Sequence, residues 1–245
     1  MKAILLSAGY GSRLGQLTKT IPKCLLRING QPLLKIWLDK LSSEGFTDVL
    51  INSHYLNDQI SVFLNDYKAK GSNLNIQLTY EKTLLGTAGT VWSNRKFVGS
   101  ENCLVVNADI LSNINLNDLI MVHLSHDHLC TIVYYYQMDT DGCGLIKIDS
   151  NSIVTKFEEK PDVPFSNYVY GGIQVIRGEL FKALPFQEIA SSSYCGLDFG
   201  HDVFPKLEGS IFAYPIESFH IDIGSPERYR EAKEIFIKQL ESDQI

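Results

Sequence analysis

An unbroken apolar run, Ala3 to Leu6, opens the chain, and a run with no polar alternation predicts a strand buried on both faces. Two helices follow in the pattern, the first of them amphipathic. Leu33–Ser43 carries Leu34, Trp37, Leu38 and Leu41 on one face and is closed by Gly45, and Leu56–Tyr67 is read as a second helix. The short run Val49–Ile51 and the alternating stretch Leu74–Tyr80 predict strands around them. This βαβαβ succession predicts a parallel, right-handed sheet with its ligand crevice at the carboxyl ends of the strands. Cys103–Val106 adds another buried strand and Leu116–Ser125 another helix. Strands then crowd together: Leu129–Tyr136, Gly144–Ile148, Ile153–Phe157 and Tyr168–Ile176. A helix over Phe199–Leu207 precedes a final one, capped by Ser225 with Pro226 at its first position and running to about Leu240.

Candidate chemistry begins where the first strand ends. Ser7-Ala8-Gly9-Tyr10-Gly11-Ser12 is mostly small, so the backbone can turn sharply and bring its N–H groups to an anion. Arg13 follows at once, and Lys23 stands just after Pro22. A strand that opens into such a loop, with an Arg and a Lys beyond it, is equipped to hold a polyphosphate. It is not a dinucleotide fingerprint, because Leu14 stands where a third glycine is needed, and no Gly-Lys-Ser/Thr closes a P-loop. The plain alternative is a strand-to-loop turn with two solvated cations.

Leu6-Ser7-Ala8-Gly9-Tyr10-Gly11-Ser12-Arg13-Leu14, then Leu17-Thr18 and Pro22-Lys23, resembles the signature of the sugar-1-phosphate nucleotidyltransferases. Its motifs are closest to those of guanylyltransferases acting on mannose- or heptose-1-phosphate. Gln16 and Cys24 depart from it, each standing where a proline is usual or frequent. The resemblance covers almost the whole chain. It implies an α/β, Rossmann-like three-layer sandwich around a mixed, mainly parallel sheet. One domain is expected, with residues 1–110 the nucleotide half, 111–245 the sugar-phosphate half, and no repeat domain after them.

Composition narrows the partners. The chain of 245 residues is long enough for a substantial core. A net charge of -6 with no Lys/Arg cluster argues against nucleic-acid binding. The first apolar run is too short for a signal peptide, and no stretch approaches a membrane span. Five scattered cysteines, Cys24, Cys103, Cys130, Cys143 and Cys195, lack metal spacing and read as reduced thiols of a cytoplasmic protein. His123, His126 and His128 fit no single helix face and read as solvated loop histidines rather than a metal site.

The resemblance assigns roles along the chain. Leu6, Ala8, Gly9, Gly11, Ser12, Arg13, Lys23 and Asn107 are expected to bind nucleotide, with Arg13 and Lys23 catalytic. Gly86-Thr87-Ala88-Gly89 matches the segment lining the base pocket; by itself it reads equally well as a small-residue helix packed on the sheet. Asp109 ends a strand, and Asp222 lies in a closing motif in which His220 replaces a usual aromatic; the family's pattern makes both aspartates Mg²⁺ ligands. Glu159 and Lys160 stand where the family holds a sugar hydroxyl and the sugar phosphate. Gly144 and Gly172 are expected beside them, with Tyr170 in place of an asparagine that would bond the sugar.

Glu81 lies where thymidylyltransferases place a base-reading glutamine. A carboxylate offers only acceptors, which suits the adjacent donors N1–H and 2-NH₂ of guanine and not thymine or uracil. A solvated strand-end carboxylate is its plainer reading. The implied reaction joins an NTP, GTP by preference, to a sugar-1-phosphate and releases pyrophosphate. Uridylyl, thymidylyl or cytidylyl transfer to another sugar or to phosphocholine remains open, as does a non-catalytic binding subunit. A homodimer is compatible with the resemblance.

Overall fold

The computed structural model describes residues 1–192 and 196–242, so Cys195 lies outside the described residues. Four parallel strands form its first half: β1 (Lys2–Leu6), β2 (Asp48–Ser53), β3 (Asn75–Tyr80) and β4 (Asn102–Asn107), in the order β3-β2-β1-β4. Leu6 pairs with Asn52 on one side and Asn107 on the other, so the central strands finish level and present one edge of loops.

Side chains of β1 alternate between two cores. Ala3 and Leu5 pack with Leu34, Trp37, Leu38 and Leu41 of helix α1 (Leu33–Ser43), whereas Ile4 packs with Ala88 and Val91 on the opposite face. Fully burying each of those leucines contributes roughly 1.5–3 kcal/mol. Apolar residues on both faces are what the uninterrupted run requires, and they make the sheet the middle of three layers. The α1 boundaries agree with those read from periodicity, while α2 occupies Asn57–Ala69.

The second half departs from parallel order. A short strand, β5 (Ile110–Ser112), follows β4 after a two-residue turn. Strands β6 (Cys130–Tyr136), β7 (Gly144–Ile148) and β8 (Val154–Glu159) lead to β9 (Tyr168–Arg177). β9 runs antiparallel to β4 along Ile173–Arg177 and antiparallel to β6, with a break in register between Tyr170 and Gln174. The break is made by Gly171-Gly172; Gly172 has φ +66°, a left-handed geometry glycine adopts without strain. Strand β10 (Ile211–Pro215), absent from the sequence reading, pairs parallel with β6. Strand β11 (His220–Asp222) pairs antiparallel with β5. The helix expected over Phe199–Leu207 is a widened turn, Phe199–Val203, followed by a tight one, Phe204–Leu207. The final helix is Pro226–Ser242, and the Ser225 hydroxyl accepts from Arg228 N at 3.2 Å as an N-cap should. Among the described residues no helix is long and apolar enough to cross a membrane.

The histidine run is not solvated as expected. His123 is fully buried, because its helix, Leu116–Leu124, turns that face onto β6, and its Nδ1 lies 2.8 Å from Thr131 Oγ1. His126 stacks on Phe212 of the unforeseen β10, with ring centroids 4.5 Å apart. Burial, then the charges of Arg177 and His126, pushes His123 down from 6.5 to about 3. Between those values the unfolded chain binds a proton that the folded chain refuses, so stability falls as the solution is acidified below about pH 6.5. His123→Asn keeps a side-chain partner for Thr131 and cannot titrate. Its free energy of unfolding should therefore drop less between pH 7 and pH 5 than that of the wild type, read by urea denaturation. An identical drop would assign the acid sensitivity to other groups.

Candidate functional site

β1 delivers the chain into the glycine loop at the level sheet edge. Gly11 has φ +65°, and a Cβ there would meet Thr18 Cγ2 at 2.9 Å and Lys23 Cβ at 3.2 Å. Only glycine satisfies both demands. The Thr18 hydroxyl closes the loop by donating to Gly11 O at 2.8 Å, and Ser12–Thr18 forms a tight helical stretch. This folding brings Lys23 back beneath the loop. At Gly9 a Cβ would meet nothing within 4 Å, so the space beside that backbone is open. Tyr10, half exposed at the loop tip, is held by His54 Nε2 at 2.9 Å.

Lys23 ends between the two aspartates. Its Nζ lies 2.5 Å from Asp109 Oδ2 and 3.4 Å from Asp222 Oδ1, with Arg13 Nη2 4.0 Å from Asp222 Oδ2. The β5–β11 pairing explains how residues so distant in sequence meet. Ile110 pairs with Asp222, which sets Asp222 beside Asp109, and the Trp37 indole donates to Ile110 O at 2.6 Å to pin β5 to α1. Burial alone would lower the Lys23 pKa; Asp109 and Asp222 more than offset it, and the net shift is upward. Asp222 is also shifted upward, by burial and then by Asp109 repulsion, against the pull of Lys23 and Arg13. Lys23 rises because two carboxylates share its ammonium, and Asp222 rises because it is buried beside a second carboxylate.

These carboxylates are hard oxygen donors of the kind Mg²⁺ takes, and the ammonium between them marks a point where positive charge is favourable. Among the described residues no group of three or more His, Cys, Asp or Glu surrounds a common point. Two carboxylates alone would fill only part of the octahedral oxygen set that Mg²⁺ takes.

A cavity opens on the far side of the aspartates. Arg13, Thr87, Asn107, Asp109, Gly144, Glu159, Lys160, Tyr170, Gly172 and Asp222, all singled out from sequence, line it. Glu159 is seated between two glycines: a Cβ on Gly144 would come within 2.5 Å of its Oε2, and one on Gly200 within 2.6 Å. Lys160 Nζ is 3.3 Å from Glu159 Oε1 and largely exposed, and its backbone is held at φ +50°, a strained value for a side-chain-bearing residue. Tyr170 lines the wall, but its hydroxyl donates to Gln174 Oε1 and its ring packs on Phe157 and Phe204. It offers ring and oxygen rather than a free donor.

Asp198 also lines the cavity, unnoticed in the sequence. Its Oδ2 accepts from Thr87 Oγ1 at 2.8 Å and its Oδ1 from Gly200 N at 2.8 Å. The Leu85–Gly89 segment and the Leu197 backbone are also joined through main chain. Leu197 N donates to Leu85 O and Gly89 N to Leu197 O, both at 2.8 Å. The Cβ atom that Gly86 lacks would fall against the Leu197 backbone.

Leu6, Ala8, Gly9, Gly11, Ser12, Lys23, Glu81, Gly86 and Ala88 do not line this cavity; they sit at the sheet edge beside it or beneath it. Glu81 is not a free strand-end carboxylate. It is 5% exposed, its Oε1 accepts from Asn52 Nδ2 at 2.8 Å and Thr90 Oγ1 at 2.5 Å, and its Oε2 from Leu85 N at 3.1 Å. Two donors fill Oε1, so only Oε2 keeps a lone pair, and side-by-side reading of two base donors through both oxygens does not fit. Ala8 and Ala88 are buried and act through backbone and packing.

Comparison with known proteins finds that residues 2–239 match the family described as Nucleotidyl transferase. Mannose-1-phosphate guanyltransferase beta-B of Xenopus laevis is 27% identical over 94% of this chain and 62% of its own. The mannose-1-phosphate guanyltransferase of Aspergillus fumigatus is 26% identical over 98% of this chain and 65% of its own. The chain thus spans less than two thirds of the length of these relatives. Among solved structures, HddC from Yersinia pseudotuberculosis complexed with GMP-PN is similar with a TM-score of 0.77 and 24% identity, over 96% of this chain and 99% of that one. At that identity the likeness concerns the fold.

Proposed function

Since the chain belongs to the nucleotidyl transferase family, we propose that it condenses a nucleoside triphosphate, preferably GTP, with a sugar-1-phosphate to give a nucleotide-diphospho-sugar and pyrophosphate. The observation that carries this reading is the meeting of Asp109, Lys23 and Asp222 between the glycine loop and the cavity holding Glu159 and Lys160. In the reaction, an oxygen of the sugar phosphate forms a bond to the α-phosphorus, and the bridging α–β oxygen departs with its electron pair on pyrophosphate. The attacking phosphate is already anionic, so the chain need not supply a general base. Its task is to bring anions together and align them.

Asp109 and Asp222 would hold Mg²⁺, which when bound neutralises phosphate charge. Lys23, sited at the same point, steadies the charge that develops at the α-phosphate, and Arg13 reaches outward to the terminal phosphates with its planar fork. Lys160 receives the phosphate of the second substrate, and Glu159 accepts from a sugar hydroxyl. The GTP preference is supported by the mannose-1-phosphate guanyltransferases among the relatives. Mannose-1-phosphate is the first sugar to test for the same reason. Buried, unpaired thiols at Cys24, Cys103 and Cys130 suit a reducing, cytoplasmic setting.

Pyrophosphate release measured across GTP, ATP, UTP, dTTP and CTP against a set of hexose-1-phosphates tests the reading; no release from any pair would refute it. Lys160→Ala should raise KM for the sugar phosphate about tenfold or more and leave KM for the triphosphate nearly unchanged, the pattern of a lost ground-state contact. The reverse pattern would place Lys160 on the nucleotide.

A further inference from the structure

His220 stands two residues before Asp222 on β11, so the two side chains share a face of that strand. It lines the cavity, and the reaction as described gives it nothing to do. Both of its ring nitrogens are engaged. Nε2 lies 2.9 Å from Gly171 O, and Nδ1 lies 3.2 Å from Oγ of Ser112, its pairing partner on β5. A carbonyl can only accept, so Nε2 carries the proton and Nδ1 is left to accept from the Ser112 hydroxyl. One imidazole therefore ties β11 and β5 to β9.

The bond reaches β9 where that strand has least to hold it. Between the pairs Tyr170–Tyr134 and Gln174–Ile132, β9 carries Gly171, Gly172 and Ile173 while β6 carries Val133 alone. The surplus backbone presses toward the turn that bears Asp109: a Cβ on Gly172 would overlap Ile110 Cδ1 and lie 2.8 Å from Asn107 Nδ2. Gly171 and Gly172 both line the cavity, together with Glu159 and Lys160. Two successive glycines have no side chains to select one backbone conformation, and glycine loses the most freedom when it is ordered. His220 supplies a support from outside the strand. A ring that only filled space would not need its nitrogens. His220 packs on Tyr135 with centroids 5.1 Å apart, which phenylalanine could do as well, but phenylalanine has no donor for Gly171 O.

We propose that His220 is a positioning residue for the sugar phosphate: by donating to Gly171 O it fixes the Gly171–Gly172 wall before the second substrate arrives, so that binding need not order it. The proposal rests on the nucleotidyltransferase reading and on the sugar phosphate entering this cavity. If the wild type releases no pyrophosphate from any pair, that reading fails before His220 is tested.

Given an active wild type, kcat, KM for each substrate and the Mg²⁺ concentration for half-maximal rate are compared with those of His220→Phe and His220→Gln. GTP and mannose-1-phosphate are the pair used, or the pair found fastest in the release screen, and melting temperatures are recorded alongside. His220→Phe is expected to raise KM for the sugar phosphate about tenfold and to leave kcat, KM for the triphosphate and the Mg²⁺ requirement within about twofold. His220→Gln places an amide N–H near the position of Nε2 and should keep the sugar-phosphate KM within about threefold of wild type. A lower melting temperature with an unchanged sugar-phosphate KM would reduce His220 to packing and overturn the proposal. So would a raised Mg²⁺ requirement with that KM unchanged, which would make His220 a support for Asp222, or an equal rise in KM for Phe and Gln. Should His220→Phe fail to fold, His220→Asn takes its place, being too short to reach Gly171 O, and an unchanged sugar-phosphate KM there would overturn the proposal equally.

Discussion

Asp222→Ala should lower turnover by about 10³-fold, equivalent to about 4 kcal/mol of transition-state stabilisation, while barely disturbing the fold. The two effects separate because of the pairing. Asp222 shares Lys23 with Asp109, and Lys23 sits nearer Asp109, at 2.5 Å against 3.4 Å. Removing Asp222 leaves the closer ion pair complete and relieves the carboxylate repulsion that raises the Asp222 pKa. No unpaired charge is created, so the usual source of a large destabilisation is missing. Catalysis has no such reserve, because a single carboxylate holds a divalent cation far more weakly than two. The comparison is of pyrophosphate release at saturating Mg²⁺, with thermal unfolding measured without metal. Asp109→Ala should lose turnover to a similar extent. Retention of more than about a tenth of the wild-type rate in both variants would be incompatible with the proposed roles.

Lys23→Met is expected to lose about 10²–10³-fold in turnover and, unlike either aspartate variant, to destabilise the metal-free protein. The ammonium lies between two carboxylates that are themselves about one third exposed, and the remaining cation, Arg13, is 4.0 Å from Asp222. Methionine preserves the aliphatic stem but leaves the carboxylates facing each other. Solvent screens part of their repulsion, so the loss stays below the 3–5 kcal/mol expected for a fully buried pair. The distinguishing observation is its response to metal. A cation that binds the folded state restores stability by mass action, so Mg²⁺ should raise the melting temperature of Lys23→Met more than that of the wild type, in which the ammonium already occupies the place. Equal shifts in the two proteins would show that Lys23 and metal do not share the site.

Much of this centre was readable because its residues lie where strand patterns end. Ala3–Leu6 and Cys103–Val106 are apolar runs whose termini can be counted, so Gly9, Lys23 and Asp109 fall at one sheet edge by topology alone. Glu159 and Lys160 were legible through motif rather than pattern. What escaped depends on neighbours that sequence order does not reveal. Glu81 looked like a solvated or base-facing carboxylate because its partners, Asn52 and Thr90, come from a different strand and a helix. His123 looked solvated because β10, part of the packing around the histidine run, is a five-residue strand containing a proline, Ile211–Pro215, with weak alternation. Asp198 showed no motif, and its Thr87 partner arrives from the other half of the chain.

The main-chain bonds between Leu85, Gly89 and Leu197 bear on how such a protein can diverge. They join the Leu85–Gly89 and Leu197–Gly200 walls, proposed to face base and sugar, through amides and carbonyls, which every residue except proline can provide. Apart from the glycines that permit the close approach, the seam is indifferent to which side chains stand on either wall. Selection can therefore exchange side chains that do not bond across the seam, as Thr87 does to Asp198, one wall at a time, with the opposite wall held in place. A donor nucleotide and an acceptor sugar can in this way be re-specified independently, and new pairings of the two become reachable by short mutational paths.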